Sequence, residues 1–223
     1  MGMECQLSQD RPFAHFSGAL PLIDPNVELL AFAAQLGTVQ PRWFRSPRVE
    51  ALRIVRQGEA RPRSLSAVCG PGEQPLHTDL AHWRIPLHFI AFACATPDAD
   101  SRPTLVLPWS HVIRREVEWD LIRDAVFKVR NGRRTFYAHV RDDKRRFFRF
   151  DPGCMVPANG AAQDFVRFYE DACAIAEPTA IVWSPGDVLV IDNWNALHAR
   201  SRGPSSACAE RRLLRVQCGQ GTR

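Results

Sequence analysis

Long hydrophobic runs are missing from this chain. Nothing in it approaches the roughly 20 apolar residues that cross a bilayer. The opening Met1-Gly2-Met3-Glu4-Cys5-Gln6 lacks the apolar core of a secretion signal. A membrane span and a leader are therefore not expected, and a cytoplasmic protein is. Paired cysteines are missing as well. The seven cysteines are odd in number and none stands in CxxC spacing, which argues against a disulfide framework or a cysteine-based zinc site. Cys69 and Cys94 lie in apolar runs and read as buried thiols. No repeat, low-complexity tract or linker interrupts the chain, so one domain over 1–223 is expected.

What is present is ordinary for a globular protein. Hydrophobic residues make up 45% and charged residues 24%, enough to bury a core. The net charge of +5 and an isoelectric point near 9.0 favour anionic small molecules. They are weak grounds for a nucleic-acid partner.

Periodicity predicts mainly β structure with peripheral helices. Asp24-Pro25 caps a helix over 26–36 that carries Leu29, Phe32 and Leu36. Ser110 starts a second helix to about Asp124, and Asn159 a third over 160–176. Strands are expected at 51–55, 64–68, 86–94, 104–107, 146–150, 187–191 and 212–218. Asn131-Gly132, between 126–130 and 135–138, reads as a hairpin turn, since both residues tolerate positive φ. Many short strands with few helices suggest a sandwich or barrel, and a jelly roll (a double-stranded β-helix) fits well. Such a fold brings residues distant in sequence together at the mouth between its sheets.

The stretch Leu76-His77-Thr78-Asp79 carries the chemistry. On a strand His77 and Asp79 share a face, so they can take adjacent positions around an octahedral metal ion. His198, beyond the strand 187–191 and the turn Asp192-Asn193, supplies a third ligand. Two histidines and a carboxylate make the facial triad of non-heme iron(II), which leaves positions open for substrate and oxygen. A lone His-x-Asp is weak, because about one such match arises by chance in a chain of this composition. The downstream run Arg211, Arg212 and Arg215 strengthens it. A planar guanidinium pairs two carboxylate oxygens and never loses its charge, as a site for a dicarboxylate needs.

Together these residues make the chain resemble the iron(II)/2-oxoglutarate-dependent dioxygenases of the taurine dioxygenase (TauD/TfdA) family, with its clavaminate synthase-like branch. The resembling residues are Leu36-Gly37-Thr38, Pro75 to Asp79, Thr104, Gly186-Asp187 through Asp192-Asn193 to His198, and Arg211 to Val216. They stand in the family's order. The resemblance implies Fe(II) on His77, Asp79 and His198, with O2 as the oxidant. It implies 2-oxoglutarate held at its distal carboxylate by Arg211, with the Thr104 hydroxyl assisting. It gives Arg215 to an acidic group of the substrate. The implied reaction is hydroxylation of an unactivated C–H bond, with release of succinate and carbon dioxide. The implied substrate is a small carboxylate-bearing metabolite, such as an amino acid or a biosynthetic intermediate. Two departures stand out: the loop Asp98 to Pro103 replaces the family's glycine-rich segment, and the chain is short for the family.

Plainer readings stand beside these. Trp194 has the best claim of the tryptophans to wall the substrate pocket, whereas Trp83 and Trp109 read as core. His82 and His88 read as structural histidines, and Arg212 as a surface charge. Ten lysines and arginines between Arg123 and Arg149 are interleaved with Phe127, Phe136, Tyr137, Phe147 and Phe148. That pattern suits a nucleic-acid surface and also a solvated hairpin with inward aromatics. We favour the hairpin, part of which would fold over the site. Rival functions are a nucleic-acid demethylase of the same mechanism, a non-catalytic metal- or ligand-binding jelly roll, and a zinc hydrolase. The last would have little use for Arg211 and Arg215. An oligomer is compatible with the sequence.

Overall fold

The structure is a computed structural model that describes residues 7–41, 45–52, 54–60, 64–97, 102–202 and 211–219. Residues 1–6 and 98–101, on which the leader and loop readings fall, lie outside them. In chain order the elements are β1 (Phe13–Phe16), α1 (Pro25–Ala33), β2 (Thr38–Gln40), β3 (Glu50–Leu52), α2 (Leu65–Cys69), β4 (Phe89–Thr96) and β5 (Thr104–Pro108). Then come α3 (Glu116–Asp124), β6 (Val126–Asn131), β7 (Arg134–His139), β8 (Arg141–Asp142), β9 (Phe147–Phe148), β10 (Met155–Pro157) and α4 (Gly160–Ile175). The chain closes with β11 (Thr179–Ile181), β12 (Val188–Asp192), β13 (Ala196–Arg200) and β14 (Arg212–Gly219).

Two antiparallel sheets form the expected double-stranded β-helix. The larger runs β1-β12-β4-β14-β2, with β3 also on β14, and the smaller runs β11-β5-β13. β4 and β12 read as unbroken apolar runs because both of their faces are buried. Ile90, Phe92, Cys94, Leu189 and Ile191 meet Val106, Ile181 and Ala196 of the small sheet. On the other face Ala91, Ala93, Val188 and Val190 meet Leu29, Phe32 and Ala33 of α1. Each large apolar side chain in these layers contributes about 1.5–3 kcal/mol. A third layer comes from the segment between β5 and β11. Its Phe127, Phe150, Phe165 and Tyr169 pack on the outer face of the small sheet at Leu107 and Leu197.

Caps set the helix starts. Asp24 Oδ1 accepts from the Asn26 and Val27 N–H groups at 3.2 Å each, and Pro25 has no N–H to leave unmet. Asn159 Oδ1 accepts from the Ala162 N–H at 2.9 Å.

Four local expectations are corrected. Residues 64–68 were expected as strand and instead form α2, because Ser64 Oγ caps the Ala67 N–H at 3.2 Å. The second helix starts at Glu116 rather than at Ser110. Trp109–His111 make one 3-10 turn, and Glu118 accepts the Arg115 N–H at 2.8 Å to begin the helix afresh. The hairpin turn falls one residue later than expected: Asn131 pairs with Arg134, and Gly132 takes the positive φ of 60°. The strand at 146–150 shrinks to β9, with Arg146 in the left-handed region at φ 59°.

Burial pushes the Cys94 thiol up to about 11 and the Cys218 thiol up to about 12. Both are expected to resist iodoacetamide in the native protein and to react freely in urea, since only the thiolate attacks. Mass spectrometry of labelled peptides checks this.

Candidate metal centre and cosubstrate pocket

The long approach to His198 is fixed by two turns. Gly186 has φ 82°, and a Cβ there would lie 2.5 Å from the Leu20 carbonyl oxygen, so only glycine fits. The Asp187 carboxylate accepts from the Gly18 N–H at 2.9 Å and the Ser184 N–H at 2.8 Å. This locks the start of β12. At its end Asp192 accepts from the Trp194 N–H at 3.0 Å and from Asn195 Nδ2 at 2.8 Å. The chain then reverses into β13, which carries His198.

His77 meets His198 through an isolated antiparallel bridge, with N–H···O distances of 3.0 Å both ways. The strand expected to carry both His77 and Asp79 ends there. Asp79 instead opens a turn, with Leu80 in the left-handed region at φ 57°. Asn193 holds that turn. Its Oδ1 accepts from the Asp79 N–H at 2.8 Å, and its Nδ2 donates to the carbonyls of Asp79 at 2.9 Å and Leu87 at 3.0 Å. Thr78, between the two ligands, exchanges hydrogen bonds with Phe150 at 2.8 and 3.2 Å.

The two imidazoles lie side by side, their ring centroids 4.4 Å apart. His77 Nδ1 is 2.9 Å from the Pro75 carbonyl. A carbonyl can only accept, so Nδ1 carries a proton and Nε2 is the ring nitrogen left to face a metal. Burial, reinforced by the neighbouring His77, lowers the His198 pKa to about 3. Its ring is therefore neutral, as a metal ligand must be. His198 Nδ1 is buried with no hydrogen-bond partner among the described residues, a group that an added ligand would satisfy.

Asp79 is committed elsewhere. Its Oδ2 accepts from Arg215 Nη1 at 2.6 Å and Gln217 Nε2 at 2.9 Å, and its Oδ1 from the Leu80 N–H at 3.1 Å. Among the described residues, no three His, Cys, Asp or Glu side chains converge closely enough to hold a metal ion. The structure thus brings His77 and His198 together and leaves the carboxylate turned toward Arg215. By donor type and by place the three residues fit a divalent iron, with Asp79 the one that must turn.

Arg215 is not positioned as the sequence suggested. It is clamped between Asp79 and Glu50, its register partner on β3. Burial works against its charge, and the two carboxylates more than restore it, raising the pKa. Glu50→Gln is expected to leave more of that charge facing the metal ligands and to weaken Co(II) binding by about tenfold. Isothermal titration checks this, and unchanged affinity would remove Glu50 from the site.

Beside the histidines lies a cluster of three buried arginines. Arg200 follows His198 by two residues on β13 and pairs in register with Thr104 on β5. Its guanidinium donates to the Gly72 carbonyl at 2.7 and 3.1 Å and also to that of Gly70. Arg102 Nη1 donates to the Pro71 carbonyl at 3.1 Å, and Arg211 Nη1 to the Arg102 carbonyl at 3.1 Å. Burial, together with the charges of Arg211 and Arg102, pushes Arg200 down to about 10. The Thr104 hydroxyl accepts from Trp183 Nε1 at 3.0 Å, which leaves its own hydrogen to donate. A pocket built this way favours a carboxylate. The sequence reading singled out Thr104 and Arg211 and did not single out Arg102 or Arg200. Alternation from His198 could have found Arg200; nothing in the sequence marks Arg102.

Trp194 acts as a wedge. Its Nε1 donates to the Pro86 carbonyl at 2.9 Å and its ring stacks on His88, centroids 4.1 Å apart. His88 is structural, 3.3 Å from Asp192. Arg212 is exposed and Trp109 is core. Of the aromatics in the basic segment, Phe127, Phe147 and Phe148 are buried, whereas Tyr137 is 69% exposed.

No protein-family model matches the chain. A clavaminate synthase-like protein of Arabidopsis thaliana is 40% identical over 66 residues, 30% of this chain and 18% of that protein. An asparagine oxygenase with Fe(II), 3-hydroxyasparagine and succinate superposes with TM-score 0.69 at 16% identity, over 86% of this chain and 64% of that one. The chain has the jelly-roll fold of the iron/2-oxoglutarate oxygenases. Two further structures share the fold. The non-heme iron oxygenase OrfP with Fe and alpha-ketoglutaric acid gives TM-score 0.66 at 17% identity, over 89% and 65%. PvcB of Pseudomonas aeruginosa gives 0.67 at 19%, over 94% and 76%. This oxygenase-fold chain spans less than two thirds of the plant relative, the asparagine oxygenase and OrfP. None of its described helices is long and apolar enough to cross a membrane.

Proposed function

We propose that the chain is an Fe(II)/2-oxoglutarate-dependent dioxygenase that hydroxylates an unactivated C–H bond of a small carboxylate-bearing metabolite of the amino-acid class. The observation that carries this reading is a juxtaposition. His198, buried and neutral, lies on β13 against His77, and two residues further along the same strand Arg200 pairs in register with Thr104, with Arg211 close to Arg200. With iron and 2-oxoglutarate bound, oxidative decarboxylation yields succinate and carbon dioxide, and one oxygen atom of O2 enters the substrate. His77 and His198 would hold the metal, joined by Asp79 once it turns from Arg215. Arg211, Arg200 and the Thr104 hydroxyl take the distal carboxylate. Arg215, keeping Glu50, then has donors for an acidic group on the substrate, with Trp194 at the pocket wall. Phe92 and Leu189 keep water from the space between the sheets.

The hydroxylated amino acids bound in the neighbouring structures support the class: 3-hydroxyasparagine in the asparagine oxygenase and (3R,4R)-dihydroxy-L-Arg in OrfP. The free thiols of Cys69, Cys94, Cys154, Cys173 and Cys218 suit a reducing cytoplasm. One domain over 1–223, with neither a membrane nor a nucleic acid as partner, completes the reading. The engagement of Asp79 by Arg215 favours a second one, a jelly roll that binds metal and ligand without turnover.

Succinate release from 2-oxoglutarate under air, with Fe(II) and a panel of free L-amino acids, separates the two readings. Turnover is expected, with Arg211→Ala raising KM for 2-oxoglutarate at least about tenfold. Binding of both iron and 2-oxoglutarate without any succinate would establish the second reading.

A further inference from the structure

Away from the metal centre, the segment between β5 and α4 encloses a groove of about 810 Å³. Its walls come from α3, β7, β8 and the loop that follows Asp79. We propose that this groove is a second ligand site, for a planar ring that carries phosphate, of the mononucleotide type. The proposal stands whether or not the metal centre is an oxygenase.

The charge balance points to an anion. Arg84, Arg123, Arg141, Arg145 and Arg149 line the groove, against the carboxylates of Asp142 and Asp143. Arg141 Nε is 2.7 Å from Asp143, and Arg145 Nη1 is 3.4 Å from Asp142. No carboxylate among the described residues pairs with Arg84 or Arg149. Arg149 is only 3% exposed. It is held by the carbonyls of Ala81, Trp83 and Arg84 at 3.3, 2.7 and 2.6 Å, and its Nε is buried without a partner. A buried cation whose hydrogen bonds all go to carbonyls keeps a positive field that Asp142 offsets only in part, and an anion in the groove would offset more of it.

The aromatic surface points to a flat ligand. The guanidiniums of Arg84 and Arg149 lie over the Phe136 ring at 5.3 and 5.7 Å, and that of Arg141 over Trp119 at 4.8 Å. Cations stacked this way present planar faces and in-plane donors together. Trp119, 36% exposed on the groove wall, leaves part of its ring open to a base. Size agrees: small-molecule pockets of roughly 300–1,000 Å³ hold ligands much larger than a free amino acid. The two aspartates have lone pairs left for ribose hydroxyls or a base amino group.

The test is isothermal titration of the whole chain with adenosine, guanosine and uridine monophosphates, inorganic phosphate, and a ten-nucleotide single strand. One mononucleotide is expected to bind at one site, at least about tenfold more tightly than inorganic phosphate. Arg84→Glu with Arg145→Glu, both exposed side chains, is expected to weaken it at least about tenfold while the thermal midpoint holds. Trp119→Ala should weaken the nucleotide about fivefold or more and leave phosphate unchanged. Saturating 2-oxoglutarate should not alter the nucleotide affinity. Three results would overturn the proposal: nucleotide no tighter than phosphate, affinity indifferent to these substitutions, or displacement by 2-oxoglutarate. Binding of the strand alone would also overturn it and make the surface a nucleic-acid face.

Discussion

His198→Ala is expected to cost the protein its iron and all succinate formation while leaving it folded. The substitution removes one of two adjacent imidazoles, and losing one of three ligands should lower metal affinity by more than about 100-fold. The fold should survive because the bridge to His77 runs through main-chain N–H and C=O groups that alanine keeps. The lost packing, the ring's contacts with His77 and Phe92 at centroid distances of 4.4 and 5.6 Å, costs about 2–3 kcal/mol. Metal content after anaerobic loading, read beside the urea midpoint, separates these effects. A His198→Ala protein that still bound iron tightly would remove His198 from the ligand set.

Asn193→Ala should have the largest effect on stability of any single change at the site. Asn193 is fully buried and satisfies the Asp79 N–H, the Asp79 carbonyl and the Leu87 carbonyl. Removing it leaves three unmet buried groups, each costing about 1–3 kcal/mol. A loss of roughly 3–9 kcal/mol takes much of the 5–15 kcal/mol that holds a typical protein folded. Asn193→Asp should not rescue it, because a carboxylate accepts from the Asp79 N–H but faces two carbonyl oxygens without a donor. Urea denaturation of both variants checks this. A loss below about 1 kcal/mol in Asn193→Ala would mean that the turn at Asp79 is held by other groups.

The large elements were legible because period and caps agreed. Asp24-Pro25, Asn159 and the unbroken apolar run of β12 each combine a local signal with burial that reinforces it. The same signals failed where one side-chain bond decided the matter, as with Ser64 starting α2 and Glu118 restarting α3. At the site, residue types were legible and side-chain directions were not. His77 and His198 meet as expected, but no pattern in the sequence shows that Asp79 faces Arg215 and Gln217. Glu50 was invisible because its role comes from pairing β3 with β14, two strands far apart in the chain. Arg149 was counted among surface charges, although its side chain is buried under the loop that follows Asp79.

The central claim is that this interior binds iron and 2-oxoglutarate together. The most direct test is an anaerobic titration of the metal-free protein with Fe(II) and 2-oxoglutarate, following the visible metal-to-ligand charge-transfer band. The band is expected in the wild type, absent in His77→Ala and His198→Ala, and shifted to much higher 2-oxoglutarate concentration in Arg211→Ala. Iron binding with no band at any 2-oxoglutarate concentration would contradict the claim.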